Sequence, residues 1–415
     1  MKIKINTNKL LYGMFLILFC TKRFWGIDTP WYVNLIVRLF GVFLLILLCK
    51  FQLKIPRTIY SNMVLASVPQ ILIICYTLLL WIVQWNIPNG RVFSNLFTSN
   101  LYIILSVLFA SVVFYLFGKK GMDLFLKCSF ISYFLGSILA ILIKFGVKNT
   151  LVYLLTSIPP VPGMRFIMEV HDLTFAIGVV FLYYLFFAEK NEGRISKLIL
   201  SALLIFWGLK RIEIGALVVC CICFKVLIKK RDLRRATWVI GISIFAVCYC
   251  YIMAIHTGVL AQLAERFHIN FMSRLETYSY VSEHYSKFSL GFPGIGVGYI
   301  DEIIEQLSNA DVRIGFVPII SLHSDVLRMY IGLGFIGFGV WIYYQTIGRT
   351  RIMERLFSRK TTSIYLLLTL YSFILYLTDN TYGYPITYFA INLAVLCTLD
   401  DSDNINHGVP AQAES

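Results

Sequence analysis

Residues 321–337 read SLHSDVLRMYIGLGFIG, so His323, Asp325 and Arg328 lie at the start of a long apolar run. Asp325 and Arg328 are three residues apart, which puts them on one helical face where they can pair within the first turn. Ser324 is a suitable N-cap, and Asp325 directly after it lies favourably at the positive end of the helix dipole. The pattern predicts a membrane helix that begins near Asp325 and leaves His323 without a structural explanation.

The whole chain is strongly apolar. Of its 415 residues, 58% are hydrophobic and 14% are charged, whereas about a quarter of the residues of an ordinary soluble domain are charged. Apolar runs recur along the length, each near the roughly 20 residues that a helix needs to cross a membrane. We therefore expect an all-α, polytopic membrane protein with one transmembrane domain over residues 1–400 and a polar tail over residues 401–415.

About twelve membrane-spanning helices are predicted. Their approximate bounds are 10–24, 31–49, 59–83, 100–117, 121–143, 172–188, 195–209, 212–228, 236–255, 325–346, 361–378 and 384–399. An even number of spans puts both termini on one side, and the loops of that side carry about 22 of the 37 Lys and Arg residues. Because basic residues accumulate in cytoplasmic loops, both termini are predicted to be cytoplasmic. Residues 256–322 then form one large loop on the outer, periplasmic side.

The two short apolar runs on either side of Lys210 and Arg211 allow two interpretations. A single long helix would place the basic segments KNEGRISK and KKRDLRR on opposite faces of the membrane. Two short helices would keep both segments on the cytoplasmic face, as the distribution of basic residues elsewhere requires. The charge asymmetry favours a tight hairpin with Lys210 and Arg211 at its outer tip.

Cationic residues collect on the predicted outer face, although the positive-inside rule disfavours them there. They are Arg165, Lys210, Arg211, Arg266, Arg274, Arg313 and Arg328. Guanidinium groups pair with two phosphate oxygens at once and stay protonated, so an anionic ligand delivered from the membrane would explain the accumulation. The alternative is a set of local ion pairs: Arg165 with Glu169, Arg211 with Glu213, Arg274 with Glu276 and Arg328 with Asp325.

His323 is the candidate general base, because an imidazole has a reference pKa near 6.5 and accepts a proton at neutral pH. The structural alternative is an interfacial histidine that is hydrogen-bonded to backbone. His171 and His284 are weaker candidates, since each lies near acids in a predicted loop. The glycines that follow in the same apolar run remove side-chain bulk and predict close helix packing; they are Gly332, Gly334, Gly337 and Gly339.

Neither a metal nor a nucleotide cofactor is expected. The stretch GFPGIGVGYI from Gly291 lies on the outer loop without a strand-then-helix context, so it predicts turns. The outer loops contain no His-x-x-x-His and no Asp-x-Asp pattern. The cysteines lie within or at the edges of apolar runs, which argues against a disulfide framework.

His323, a small polar residue, nine further residues and then Gly334-x-x-Gly337 resemble the signature shared by bacterial O-antigen ligases and O-antigen (Wzy-type) polymerases. Other features occur in the order found in these families. They are Arg165 before a middle span, Arg211 at a hairpin tip, Arg266 and Arg274 early in the large loop, and a PGIGVGY turn before the histidine. The resemblance covers about residues 160–340.

The resemblance implies a GT-C-like glycosyltransferase of the bacterial inner membrane that needs neither metal nor cofactor. It would act in the periplasm on an undecaprenyl-pyrophosphate-linked oligosaccharide, with the lipid bilayer and a chain-length regulator protein as partners and no nucleic acid. The expected catalytic residues are His323, Arg211 and Arg274, and the expected substrate-binding residues are Arg165, Lys210, Arg266, Arg313, Asp325 and Arg328.

The signature does not separate a polymerase from a ligase. The stretches LYLTDNTYGYPITYF and HSDVLRMY resemble polymerases more than ligases, so a polymerase is favoured. A ligase that transfers the glycan to the lipid A core is the first alternative. A polysaccharide transporter or flippase is the second, although a transporter normally carries its charged residues near the midplane and has shorter loops.

Overall fold

The computed structural model describes residues 7–21, 23–24, 27–28, 31–48, 54–85, 88–190, 193–229, 232–268, 274–310, 313–314, 317–318 and 322–399. These residues are almost entirely helical. The predicted polar tail, 401–415, lies outside them.

Eighteen α-helices occur within the described residues. They are α1 (Thr7–Cys20), α2 (Trp31–Leu48), α3 (Arg57–Val83), α4 (Gly90–Phe117), α5 (Lys120–Tyr133), α6 (Leu139–Thr156), α7 (Met164–Met168), α8 (His171–Phe186), α9 (Gly193–Gly208), α10 (Arg211–Cys223), α11 (Leu233–His256), α12 (Val259–Arg266), α13 (Arg274–Tyr285), α14 (Tyr299–Asn309), α15 (Asp325–Tyr343), α16 (Arg349–Leu356), α17 (Arg359–Thr378) and α18 (Pro385–Leu396). The π-helical segments Phe134–Ile138, Phe224–Ile228 and Tyr344–Gly348 continue α5, α10 and α15, and a 3₁₀ turn spans Thr381–Gly383.

Two antiparallel hairpins of two-residue strands complete the described secondary structure. Strand β1 (Arg23–Phe24) pairs with β2 (Ile27–Asp28), and β3 (Arg313–Ile314) pairs with β4 (Val317–Pro318). Both hairpins lie in connections between helices, so they leave the predicted all-α class unchanged.

Six helical segments are long and apolar enough to cross a membrane. They are Arg57–Val83, Gly90–Phe117, Lys120–Thr156, Leu233–His256, Asp325–Leu356 and Arg359–Thr378. They contain the predicted spans 59–83, 100–117, 121–143, 236–255, 325–346 and 361–378. The other six predicted spans correspond to shorter helices, such as His171–Phe186 and Pro385–Leu396. The architecture is compatible with a membrane protein.

The core of the bundle surrounds α17 and α18. Helix α17 is apolar on every side, and a helix of that kind is stable only when neighbours cover its whole circumference. Ile364, Leu368 and Tyr371 of α17 are each fully buried, and the helix contacts α10, α11, α15 and α18. Helix α18 begins with Pro385 in its first turn, where proline needs no backbone donor, and packs on α4 and α8.

The chain reverses direction at Leu209–Lys210, as the charge asymmetry predicted. Helix α9 ends with Gly208 so close to Thr174 that an added Cβ would lie 2.6 Å from that side chain. Thr174 lies in the first turn of α8, and α10 starts at this same end of α8. The π-helical continuation of α10 stacks Phe224 on Phe186 at the other end of α8, with ring centroids 4.1 Å apart. Helices α9 and α10 are therefore an antiparallel pair, and a single long helix is excluded.

Helix α15 is broken at Gly334, which has φ +70° and ψ −177°. Residues 291–297, here called the inserted segment, lie along the break. The backbone N–H of Ile295 donates to the carbonyl oxygen of Ile331 at 3.0 Å, so a helix carbonyl left without its usual partner is satisfied. Turns occur at residues 290–291 and 297–298, as the sequence predicted; the break in α15 and its contact with the inserted segment were not predicted.

Side chains of α3 satisfy the irregular backbone of the inserted segment. The hydroxyl of Tyr76 donates to the carbonyl oxygen of Pro293 at 2.9 Å. The indole Nε1–H of Trp81 donates to the carbonyl oxygen of Ile295, also at 2.9 Å. Non-helical backbone within a membrane bundle requires such partners, since lipid offers no hydrogen bonds.

The glycines of α15 have two different roles. A Cβ added at Gly334 would lie 2.2 Å from the carbonyl carbon of Pro293, and Gly332 also faces the inserted segment. Gly337 and Gly339 instead face aromatic side chains of α3 and α11. The prediction of close helix packing is therefore right for the second pair and wrong for the first.

We expect Gly334→Ala to destabilise the protein by at least about 2 kcal/mol, because alanine is strained at positive φ and its Cβ would overlap Pro293. Thermal unfolding in detergent measures the effect. Gly215→Ala in α10 is the matched control, since no atom lies within 4 Å of the added Cβ; it should be neutral or slightly stabilising. Equal melting temperatures for the two variants would contradict the proposed reason for the break.

Candidate functional site

His323 lies just before the N-cap Ser324 of α15. This end of α15 faces α13 and the last turn of α17. The hydroxyl oxygen of Ser324 accepts a hydrogen bond from the backbone N–H of Leu327 at 3.3 Å, which confirms the predicted N-cap. The carbonyl oxygen of His323 accepts a hydrogen bond from the hydroxyl of Tyr278 on α13. Both contacts fix the backbone on either side of the imidazole, which is itself partly buried.

Asp325 and Arg328 form the predicted pair, with 3.6 Å between Oδ1 and Nη1. Asp325 is fully buried and also accepts the backbone N–H of Tyr382 at 2.6 Å. The Nε of Arg328 lies 3.1 Å from Asp301 of α14. Arg328 is thus held between two carboxylates, and these contacts tie α15 to its neighbours. The predicted substrate-binding role of Asp325 and Arg328 gains no support from this geometry.

A second group of charges forms where the segment between α7 and α8 meets the turn between α9 and α10. Glu169 lies at its centre, and its carboxylate accepts a bond from Nε of Arg165 at 2.9 Å. The Nζ of Lys210 lies 3.7 Å from the same carboxylate and 3.1 Å from Nε2 of His171. The same Nε2 of His171 lies 3.6 Å from Oε2 of Glu169.

The charges of this group shift one another's pKa values. Burial raises the pKa of Glu169, but the hydrogen bond to His171, the charge of Lys210 and the contact with Arg165 outweigh it and lower that pKa to about 2. Burial lowers the pKa of Lys210, and the nearby Glu169 carboxylate opposes the shift. The Glu169 carboxylate is therefore strongly stabilised in the folded state.

Arg274 connects this group to His323. It begins α13 and donates from Nη1 to the carbonyl oxygen of Thr378 at 2.6 Å. Asp379 follows directly and is only 2% exposed. Burial, and then the positive charge of Arg274, lower the pKa of His323 to about 4, while Asp379 acts in the opposite direction. His171 and Lys210 also act on His323 electrostatically, so the two groups share one region.

We call this region the ionisable cluster; its members are Arg165, Glu169, His171, Lys210, Arg274, His323 and Asp379. Of the predicted site residues it contains His323, Arg274, Lys210 and Arg165. Sequence reasoning missed Asp379, although the acid directly after the apolar run of α17 was a usable signal. His171 was only a weaker candidate in the sequence, yet it lies within the cluster.

Besides Asp325 and Arg328, three predicted site residues lie outside the ionisable cluster or outside the described residues. Arg211 is exposed at the start of α10 and has no ion pair among the described residues. Arg266 is exposed at the end of α12, where its guanidinium lies 6.0 Å from the ring centroid of Phe267. The side chain of Arg313 lies outside the described part of the structure. The hairpin-tip residue that enters the cluster is therefore Lys210 rather than Arg211.

Two of the predicted local ion pairs do not form. Glu213 does not pair with Arg211; it is fully buried and faces the hydroxyl of Tyr371 at 3.4 Å. Glu276 is exposed on α13, and Arg274 instead binds the carbonyl at the end of α17. The ion-pair alternative is therefore correct for Arg165 and Arg328 and wrong for the other two.

The ionisable cluster combines a neutral imidazole with cationic donors at one end of an apolar bundle. Arg274 and Lys210 are suited to an anion such as a phosphate, and His323 is suited to accept a proton. Within the described ranges, no group of three or more His, Cys, Asp and Glu side chains is placed to hold a metal ion. The chemistry available is anion binding with proton transfer.

Comparison with known proteins adds no assignment: no protein-family model matches the chain, and no curated protein matches it. The likeness to polymerases and ligases thus rests on the sequence motifs alone. A function has to be argued from the cluster itself.

Glu169 predicts an acid-dependent loss of stability. Its folded-state pKa is depressed from 4.5 to about 2, so its contribution is complete above pH 4.5 and is lost as the pH falls towards 2. The shift corresponds to about 3 kcal/mol. The free energies of unfolding of the wild type and of Glu169→Gln should differ by about this amount at pH 7 and converge as the pH falls to about 2. Glu276→Gln, at an exposed position, is the control, and a pH-independent difference for Glu169→Gln would refute the assignment.

Proposed function

We propose that the protein is a GT-C-like glycosyltransferase that polymerises undecaprenyl-pyrophosphate-linked repeat units of a bacterial surface polysaccharide such as O-antigen. One observation carries the proposal: the charges of Arg274, which binds the end of α17, and of Lys210 both act on the imidazole of His323 at one end of a bundle of apolar helices. A lipid pyrophosphate is an anion that reaches such a site laterally from the membrane. Its sugar would then lie beside an imidazole able to take a proton.

In the proposed reaction, a hydroxyl of the incoming repeat unit attacks the anomeric carbon of the donor glycan. The bond between that carbon and the pyrophosphate oxygen breaks, and the hydroxyl proton passes to His323. Negative charge builds on the departing pyrophosphate, and Arg274 and Lys210 stabilise it. The growing glycan is thereby transferred to the new unit, and the lipid pyrophosphate is released.

The low pKa of His323 bears on its role as the base. An imidazole with a pKa of about 4 is neutral at pH 7 but is a weak base. Burial is the main cause, and the charges of Arg274 and Lys210 contribute. A bound pyrophosphate offsets those two charges and raises the pKa, so the base becomes stronger when the donor is present. The carboxylate of Asp379 stabilises the imidazolium that forms.

The proposal includes the predicted topology. Twelve spans with both termini cytoplasmic would put the ionisable cluster at the periplasmic face of the inner membrane. Basic residues at the other ends of α8, α9 and α17 support this orientation under the positive-inside rule; Lys190, Lys197 and Lys360 are examples. A chain-length regulator protein is the expected partner.

The banding pattern of lipopolysaccharide from a deletion strain tests the proposal. Loss of a polymerase leaves lipopolysaccharide that carries a single repeat unit. Loss of a ligase leaves long lipid-linked polymer that is not attached to the core, and loss of a flippase traps single units facing the cytoplasm. An unchanged ladder would contradict all three, and either of the last two patterns would contradict a polymerase.

A further inference from the structure

A polar cavity lies at the end of the bundle opposite the ionisable cluster. Helices α8, α9 and α17 each have one end in the cluster and the other end at this cavity. Its volume is about 270 Å³, and its charged lining consists of Lys119, Lys120, Lys197, Lys360, Asp123 and Glu189. We call it the lysine pocket; the proposed glycosyltransferase chemistry does not use it.

The two carboxylates of the lysine pocket are each bound by one lysine. The Nζ of Lys197 lies 2.7 Å from Asp123, and the Nζ of Lys119 lies 3.1 Å from Glu189. Lys197 is 22% exposed and Asp123 is 32% exposed, so this pair is only partly accessible to water. These contacts neutralise half of the positive charge.

Lys120 and Lys360 supply the other half. They come from the first turns of α5 and α17, which are 240 residues apart in the chain, and both side chains line the same cavity. Neither lies within ion-pair distance of a described carboxylate, although the charge of Lys360 acts on Glu189. Two like charges that converge on one cavity repel each other, and the positive ends of α5 and α17 add to the field. An anion in the cavity would relieve this repulsion.

The surroundings of the lysine pocket favour a lipid headgroup as that anion. The cavity is also lined by Tyr183 and Phe187, so aromatic side chains lie beside the lysines as they do at a membrane interface. Basic pockets between the cytoplasmic ends of membrane helices recognise anionic headgroups. We propose that the lysine pocket binds the phosphodiester headgroup of an anionic membrane lipid, with Lys120 and Lys360 as its direct ligands.

The test uses the full-length protein in nanodiscs of phosphatidylcholine, with and without phosphatidylglycerol, and measures the melting temperature against lipid fraction. Lys120→Gln/Lys360→Gln is the test variant. Lys225→Gln/Lys229→Gln, two exposed lysines at the end of α10, is the control with the same charge change. We expect phosphatidylglycerol to stabilise the wild type and the control equally. The apparent affinity of the test variant should fall about 25-fold, at about 5-fold per lysine.

Equal stabilisation of the test and control variants by phosphatidylglycerol would overturn the proposal. Stabilisation of the wild type by inorganic phosphate to the same extent would show that the ligand is a soluble anion, and would overturn the lipid assignment.

A third arm replaces Asp400, Asp401 and Asp403 of the tail with asparagine. If lipid stabilises only that variant, the tail fills the pocket and the proposal is wrong. Should the test variant not fold, native mass spectrometry of the wild type against Lys120→Arg/Lys360→Arg counts retained phosphatidylglycerol; no retained lipid in either would overturn the proposal.

Discussion

Arg274→Lys should remove most chain extension, lowering it by about 100-fold although the positive charge is kept. The planar guanidinium donates to the carbonyl oxygen of Thr378 at 2.6 Å and still presents other N–H groups for a phosphate. Lysine has a single ammonium group, which cannot make both contacts in the same geometry. The measurement is the lipopolysaccharide ladder of a deletion strain complemented with the variant, at equal protein level.

Arg266→Lys is the matched control for this prediction. Arg266 is a neighbour in the chain that is exposed at the end of α12, so its replacement should leave the ladder unchanged. Arg211→Lys distinguishes what the sequence signature predicts from what the structure predicts. The signature predicts a loss of chain extension, whereas the exposed position of Arg211 outside the ionisable cluster predicts little change. A full-length ladder with Arg274→Lys would exclude a role for this guanidinium in holding the pyrophosphate.

His323→Ala should lower polymerisation by about 100-fold or more, which is the usual contribution of a general base. It should be more damaging than Asp325→Asn, because asparagine still offers Tyr382 an acceptor oxygen and the buried Asp325 lies outside the ionisable cluster. His284→Ala is the control, since His284 is exposed on α13 and, among the described residues, contacts Tyr280 and Tyr285 of the same helix. Wild-type ladders from His323→Ala would remove this residue as the base.

The pH dependence gives an independent readout of His323. In the free protein its pKa is about 4, so transfer at limiting donor concentration should stay constant from neutral pH down to about pH 5. An unshifted histidine would instead halve the rate near pH 6.5. An acid limb at that higher value would contradict the buried, cation-flanked environment of the imidazole.

Much of the helical framework was predictable from local patterns. Apolar length located the long helices, and charge asymmetry located the reversal at Leu209–Lys210. Ser324 was recognisable as an N-cap because capping depends on residues within one turn. Each of these features is determined by neighbours in the chain.

The remaining features depend on contacts between distant segments. The break at Gly334 exists because the inserted segment, about 40 residues earlier, supplies backbone partners to α15. The choice of Lys210 over Arg211 depends on which side of the hairpin tip faces α7 and α8, and two adjacent cations do not reveal this. Asp379 enters the cluster only because α17 ends beside Arg274 and Asp325.

Reconstitution tests the central claim most directly. The purified protein would be placed in liposomes with lipid-linked repeat units extracted from the deletion strain, and product lengths would be resolved on a gel. A ladder of lipid-linked glycans that appears with the wild type and is lost with Arg274→Lys and His323→Ala is the predicted result. If the repeat units stay single with the wild-type protein, although the same protein restores the ladder when it is expressed in the deletion strain, the result would contradict a polymerase.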